Sequence, residues 1–169
     1  KLPIGIQTFR EIREDECFYV DKSGFALLLI SEGKYYFLSR PRRFGKSLFI
    51  DTLAELFAGN EPLFRGLHCH GSWDWSVRYP VIRISFAEGV MESRAALDER
   101  IDYLLAHNAQ RLGIGELVQG SVSSRFSTLI EQAGLLHGQR VVVLVDEYDK
   151  PILDNLTRPE VARQMRDGL

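Results

Sequence analysis

A chain of 169 residues, 45% hydrophobic and 26% charged, is long enough for one domain with its own core. Twenty-one basic against twenty-three acidic residues leave a net charge of −2, which argues against a generally basic nucleic-acid wrapper. Two cysteines, Cys17 and Cys69, make no disulfide framework, and no apolar run spans a bilayer, so the composition points to a cytoplasmic protein without a membrane anchor.

There is no internal repeat and no low-complexity linker, so residues 1–169 read as one domain. The chain starts at Lys1 without a methionine and stops at Gly168-Leu169, just as a helical pattern begins. It therefore reads as the N-terminal piece of a longer domain, C-terminally incomplete.

The stretch from Leu2 to Tyr19 mixes apolar and charged residues and is assigned no element. Asp21 or Ser23 is placed to cap a helix through Phe25, Leu28 and Leu29 that ends at Gly33. Tyr35 to Leu38 is a short aromatic run that suits a buried strand. A basic loop follows, and then Phe49, Leu53, Leu56 and Phe57 fall at helical spacing up to Gly59-Asn60. Val81 to Phe86 reads as a strand introduced by Pro80. Leu97, Ile101, Leu104 and Leu105 mark a helix over roughly Glu92 to Arg111. Phe126, Leu129, Ile130 and Ala133 mark another, capped by Ser121, Ser123 or Ser124. The unbroken run Val141 to Val145 has the look of a strand covered on both faces. Thr157 and Glu160 then show capping-box spacing, with Pro159 in the first turn. Strands alternating with helices predict an α/β fold, a parallel sheet with helices on both faces and the ligand at the strand C-terminal edge.

The chemistry concentrates in two places. Gly45-Lys46-Ser47 follows a predicted strand and a short loop and opens a helix, the context of a P-loop (Walker A). A helix N-terminus has unpaired N–H groups and a partial positive charge, and so attracts phosphate. Gly45 lets the backbone approach the phosphates, Lys46 reaches the β- and γ-phosphates, and the Ser47 hydroxyl is a magnesium ligand. Phe44 and Leu48 flank the tripeptide as further cofactor-binding positions. Arg42 and Arg43 are candidate phosphate contacts, because guanidinium pairs well with phosphate. The usual pattern has a glycine five residues before Gly45, where this chain has Arg40. The second place is Asp146-Glu147, ending the apolar run where a Walker B motif ends. Asp146 is the second magnesium ligand, and Glu147 is the catalytic group that orients or deprotonates an attacking water.

The stretches Leu2-Pro3-Ile4-Gly5, Tyr19-Val20-Asp21-Lys22-Ser23, Arg40 to Ser47 and Val145-Asp146-Glu147-Tyr148-Asp149-Lys150-Pro151 resemble the AAA-ATPase-like family of bacterial and archaeal proteins. The resemblance covers essentially the whole chain. It implies an additional-strand P-loop NTPase fold, ATP and Mg2+ as cofactors, and a longer protein that often carries a restriction-nuclease-like domain. It also makes Arg40 ordinary for the family, and it leaves the sensor, arginine-finger and lid residues beyond Leu169.

Other residues invite weaker readings. Ile4, Phe9 and Tyr19 are candidates for an adenine pocket, with core packing favoured for each. His68, Cys69 and His70 alternate too tightly for common zinc spacing. Trp73 and Trp75 suit packing against the sheet better than stacking on a base. Asp149 and Lys150 read as a surface ion pair. The expected function is an ATP- and magnesium-binding switch that hydrolyses ATP. The alternatives are a nucleotide-binding interaction module without turnover, which implies a protein partner or self-association, and the motor of a nucleic-acid-acting nuclease, which rests on family analogy alone.

Overall fold

Thr8 starts the first helix. Its hydroxyl accepts the Glu11 amide at 3.3 Å and donates to the Glu11 carboxylate at 2.7 Å, so α1 runs over Phe9–Glu14. The computed structural model describes residues 1–6, 8–39 and 44–169. These divide into two compact units, Lys1–Tyr79 and Pro80–Leu169.

In the first unit, α2 covers Ser23–Glu32 and stops at Gly33. Helix α3 covers Lys46–Phe57. Gly59 follows it at φ +74°, a left-handed conformation that glycine adopts without steric cost and that ends the helix. A 3₁₀ turn over Glu61–Phe64 comes next. The core gathers Phe9, Ala26, Phe49, Leu56, Leu63, Phe64 and Cys69. The Phe9 ring meets Tyr19 edge-on at 5.0 Å and Phe64 at 4.8 Å, which makes Phe9 a packing residue, whereas Ile4 is exposed. The buried Asp51 carboxylate of α3 accepts the Phe9 amide at 2.7 Å, tying the start of α1 to the middle of α3. Trp73 packs edge-on against Phe57, and the Trp75 ring nitrogen donates to the His70 carbonyl.

One expected element is not formed. Tyr35 to Leu38 carry no strand, and Tyr35 and Phe37 are 94% and 73% exposed. Aromatic residues raise β propensity, but a strand exists only where a ladder partner and a covering layer meet it.

The second unit runs β1 (Val81–Ser85), α4 (Arg94–Arg111), α5 (Val122–His137), β2 (Val142–Asp146), α6 (Lys150–Leu153) and α7 (Pro159–Arg166). Ser93 caps α4 and Ser121 caps α5 through hydroxyls that accept the amides of Ala96 and Ser124. Before α7 the capping position falls on Arg158, with no side-chain cap bond, in place of Thr157; Pro159 still opens the helix. The strands β1 and β2 are parallel, with Val81 opposite Val142 and Ser85 opposite Asp146. The sheet therefore has the expected parallel sense, and two strands among the described residues. Val143 and Val145 are 37% and 44% exposed, so β2 alternates instead of being covered on both faces. An unbroken β-branched run reports strand propensity and does not count the layers above it.

Helix α4 closes one edge of this sheet with side chains. Asn108, fully buried, accepts the Arg83 amide at 2.9 Å through Oδ1 and donates to the Arg83 carbonyl at 2.8 Å through Nδ2. Its carboxamide thus does for β1 what a neighbouring strand's backbone would do. Arg111 donates to the Val81 carbonyl and to Asn108 Oδ1. Beneath them lies a core of Ile82, Phe86, Leu97, Leu105, Leu129, Ala133 and Met165.

Candidate functional site

Gly45-Lys46-Ser47 opens α3 as expected, but the strand expected before the loop is not formed at Tyr35 to Leu38. Gly45 is the N-cap of α3 at φ +73° and ψ +30°, the left-handed region where a side chain is strained. Its carbonyl accepts the Phe49 amide at 3.0 Å and begins the helix ladder. Lys46 and Ser47 are the first two helical residues. Gly45 has no side chain with which to cap the free amides, and the first turn contains no acidic residue. Neither the Lys46 ammonium nor the exposed Ser47 hydroxyl is hydrogen-bonded or ion-paired to a described residue. Phe44 is exposed just before the junction and Leu48 packs partly against the core behind it. Arg42 and Arg43, with Arg40 and Pro41, lie outside the described residues.

A second segment of the same unit reaches this junction. Lys22 Nζ lies 3.3 Å from the position a Cβ on Gly45 would take. The chain around Lys22 is fixed by its neighbours. Asp21 accepts the Ser23 amide at 2.8 Å and the His68 amide at 2.7 Å. The Ser23 hydroxyl, fully buried, accepts the Cys69 amide at 3.1 Å. Tyr19 shares a 3.2 Å hydroxyl–hydroxyl bond with Thr52 of α3. The sequence offers Asp21 or Ser23 as a helix cap and Tyr19 as an adenine-pocket candidate; in the structure Lys22, to which the sequence gives no role, holds the N-cap position of α2 without a side-chain cap bond. His68 and Cys69, whose spacing is too tight for a zinc site, contribute backbone amides here.

Partial burial alone would raise the Asp21 pKa, but the bonds from Ser23 and His68 outweigh it and hold the carboxyl below the usual carboxylate value. A folded-state pKa below the unfolded one gives stability that is complete above the unfolded value and is lost as pH falls through the folded value. Asp21→Asn is therefore expected to flatten the acid side of the melting-temperature profile below about pH 4. Calorimetric scans of parent and variant from neutral to acid pH check this.

The acidic pair sits at the C-terminal end of β2, in the second unit. Asp146 ends the ladder opposite Ser85, and its carbonyl accepts the Phe86 amide at 3.2 Å. One oxygen of its carboxylate accepts the Glu147 amide at 3.0 Å. Glu147 has φ +55°, a left-handed conformation that is strained for a residue with a side chain. Its carbonyl then accepts the Lys150 amide, turning the chain into α6. Lys150 pairs with Asp154 at 2.6 Å and donates to the Gly89 carbonyl at 2.8 Å, so its ion-pair partner is not Asp149. The structure thus gathers Phe44 to Leu48 at one helix start in the first unit, and Asp146 and Glu147 at one strand end in the second.

These features define a mixed α/β protein with a parallel strand pair, a strained acidic strand end and an uncapped, lysine-bearing helix start. The family model described as predicted AAA-ATPase matches residues 3–169, and the chain belongs to that family. Membership supports nucleotide binding in general. The chain is also 66% identical, over its whole length, to an uncharacterized protein in the vnfD 5′ region of Azotobacter chroococcum mcd 1. It spans 33% of the length of that relative. No solved structure matches the chain significantly. Among the described residues no helix is long and apolar enough to cross a membrane.

Proposed function

We propose that this chain binds ATP with magnesium through the start of α3 and forms the nucleotide-binding part of an ATPase. The observation that carries this reading is the state of the α3 N-terminus. A left-handed glycine brings the backbone to an uncapped helix start, and Lys46 and Ser47 open the helix with no acidic neighbour in the first turn. Free amides, an ammonium and a hydroxyl together are donors suited to a polyphosphate. Magnesium takes hard oxygen ligands, and the two sequence motifs, each in its own unit, assign that role to the Ser47 hydroxyl and the Asp146 carboxylate. When bound, magnesium neutralises charge that develops on the phosphates. In this reading Lys46 binds the terminal phosphates, and Glu147 accepts a proton from the attacking water.

The test is calorimetric titration of ATP with magnesium into the chain and into its Lys46→Ala variant. Loss of a charge-assisted contact to phosphate is expected to weaken binding by at least about tenfold. Equal affinities in parent and variant would remove Lys46, and with it the site, from the reading.

A further inference from the structure

We propose that Lys22 is a second phosphate-binding cation at the α3 N-terminus, acting with Lys46 on the polyphosphate of a nucleotide. The inference rests on the nucleotide reading above and extends it to a residue outside the Gly45-Lys46-Ser47 motif. Lys22 stands 23 positions before Gly45 in the chain, yet its ammonium lies beside that glycine. Its placement is built, since the residues on both sides of it are anchored. Asp21 and Ser23 are bonded to the backbone of His68 and Cys69, and Tyr19 is bonded to Thr52 on α3 itself. Lys22 is half-buried and makes no ion pair with a described residue.

The electrostatics of the position point to an anion. A helix N-terminus carries a partial positive charge and repels cations. Here the Lys22 ammonium lies beside Gly45 at that end, Lys46 is the first residue of the helix, and the first turn supplies no acidic residue to balance them. An arrangement that is unfavourable in the empty chain becomes favourable when a multiply charged anion occupies it. A di- or triphosphate has the required charge, and Gly45 has no side chain to stand against the Lys22 ammonium. A Cβ at Gly45 would stand against the Lys22 ammonium as well as straining the backbone.

The experiment compares parent, Lys22→Met, Lys22→Arg and Lys46→Ala by titration with ATP and magnesium, and by thermal unfolding without nucleotide. Lys22→Met is expected to weaken ATP binding about tenfold, the loss of one charge-assisted phosphate contact. Its unliganded melting temperature is expected to stay level or rise, because a repelled cation has gone. Lys22→Arg, which keeps the charge, is expected to retain most of the affinity. Parental ATP affinity in Lys22→Met, beside lost affinity in Lys46→Ala, overturns this inference alone. A lower unliganded melting temperature, or failure to fold, in both Lys22 variants assigns the side chain to structure and also overturns it. Absence of ATP binding by the parent overturns the nucleotide reading, and this inference with it.

Discussion

Glu147→Gln is expected to lower ATP turnover by about 10²–10⁴-fold while ATP binding survives, in the longest form of the protein that turns ATP over. The substitution keeps the size and hydrogen-bonding shape of the side chain and removes only its ability to take a proton. Glu147 holds a left-handed backbone at the end of β2, a conformation that costs a residue with a side chain about 1–2 kcal/mol. Glutamine bears the same cost, so the melting temperature should not move. Glycine would relieve it, and Glu147→Gly should be more stable than the parent by about 1 kcal/mol and equally inactive. A stabilised but inactive glycine variant is what a strained catalytic position gives. A Glu147→Gln protein that turns ATP over at the parental rate would assign the proton transfer elsewhere.

The largest stability effect is expected at Asn108. Asn108→Ala strips both partners from the Arg83 amide and carbonyl, and it leaves Arg111 without one of its two acceptors. A polar group left without its bond costs about 1–3 kcal/mol when buried, and the two Arg83 groups are part-buried, so together they should cost about 2–3 kcal/mol. Denaturant unfolding followed by circular dichroism measures this. A loss below about 0.5 kcal/mol, the range of ordinary surface substitutions, would mean that the β1 edge does not depend on the carboxamide.

Much of the helical framework was legible because its signals are local. Phe49, Leu53, Leu56 and Phe57 repeat at helical spacing before Gly59, and α3 ends there. Ser121 stands one residue before α5 and caps it. The parallel pairing of β1 and β2 followed from the helices between them. Helix α1 was missed at six residues, too short for periodicity, although Thr8 and Glu11 carry the spacing that would have found it. Tyr35 to Leu38 misled because propensity is a property of the segment, while a strand is a property of a pair. The lysine and serine of the helix start and the acids of the strand end were readable as motifs. Lys22 was not, since its place beside Gly45 depends on Asp21 meeting the His68 amide, a contact 47 residues away in sequence.

Both thiols of the chain belong to the first unit: Cys17 is buried, and Cys69 is fully buried behind Ser23, where burial also pushes its pKa up. A thiol reagent reaches the fully buried Cys69 only when the core around it, which includes Phe9, Ala26, Phe49 and Phe64, opens. The rate at which Cys69 is labelled is therefore a built-in clock for local opening of the first unit, with the cysteine-free second unit contributing no signal.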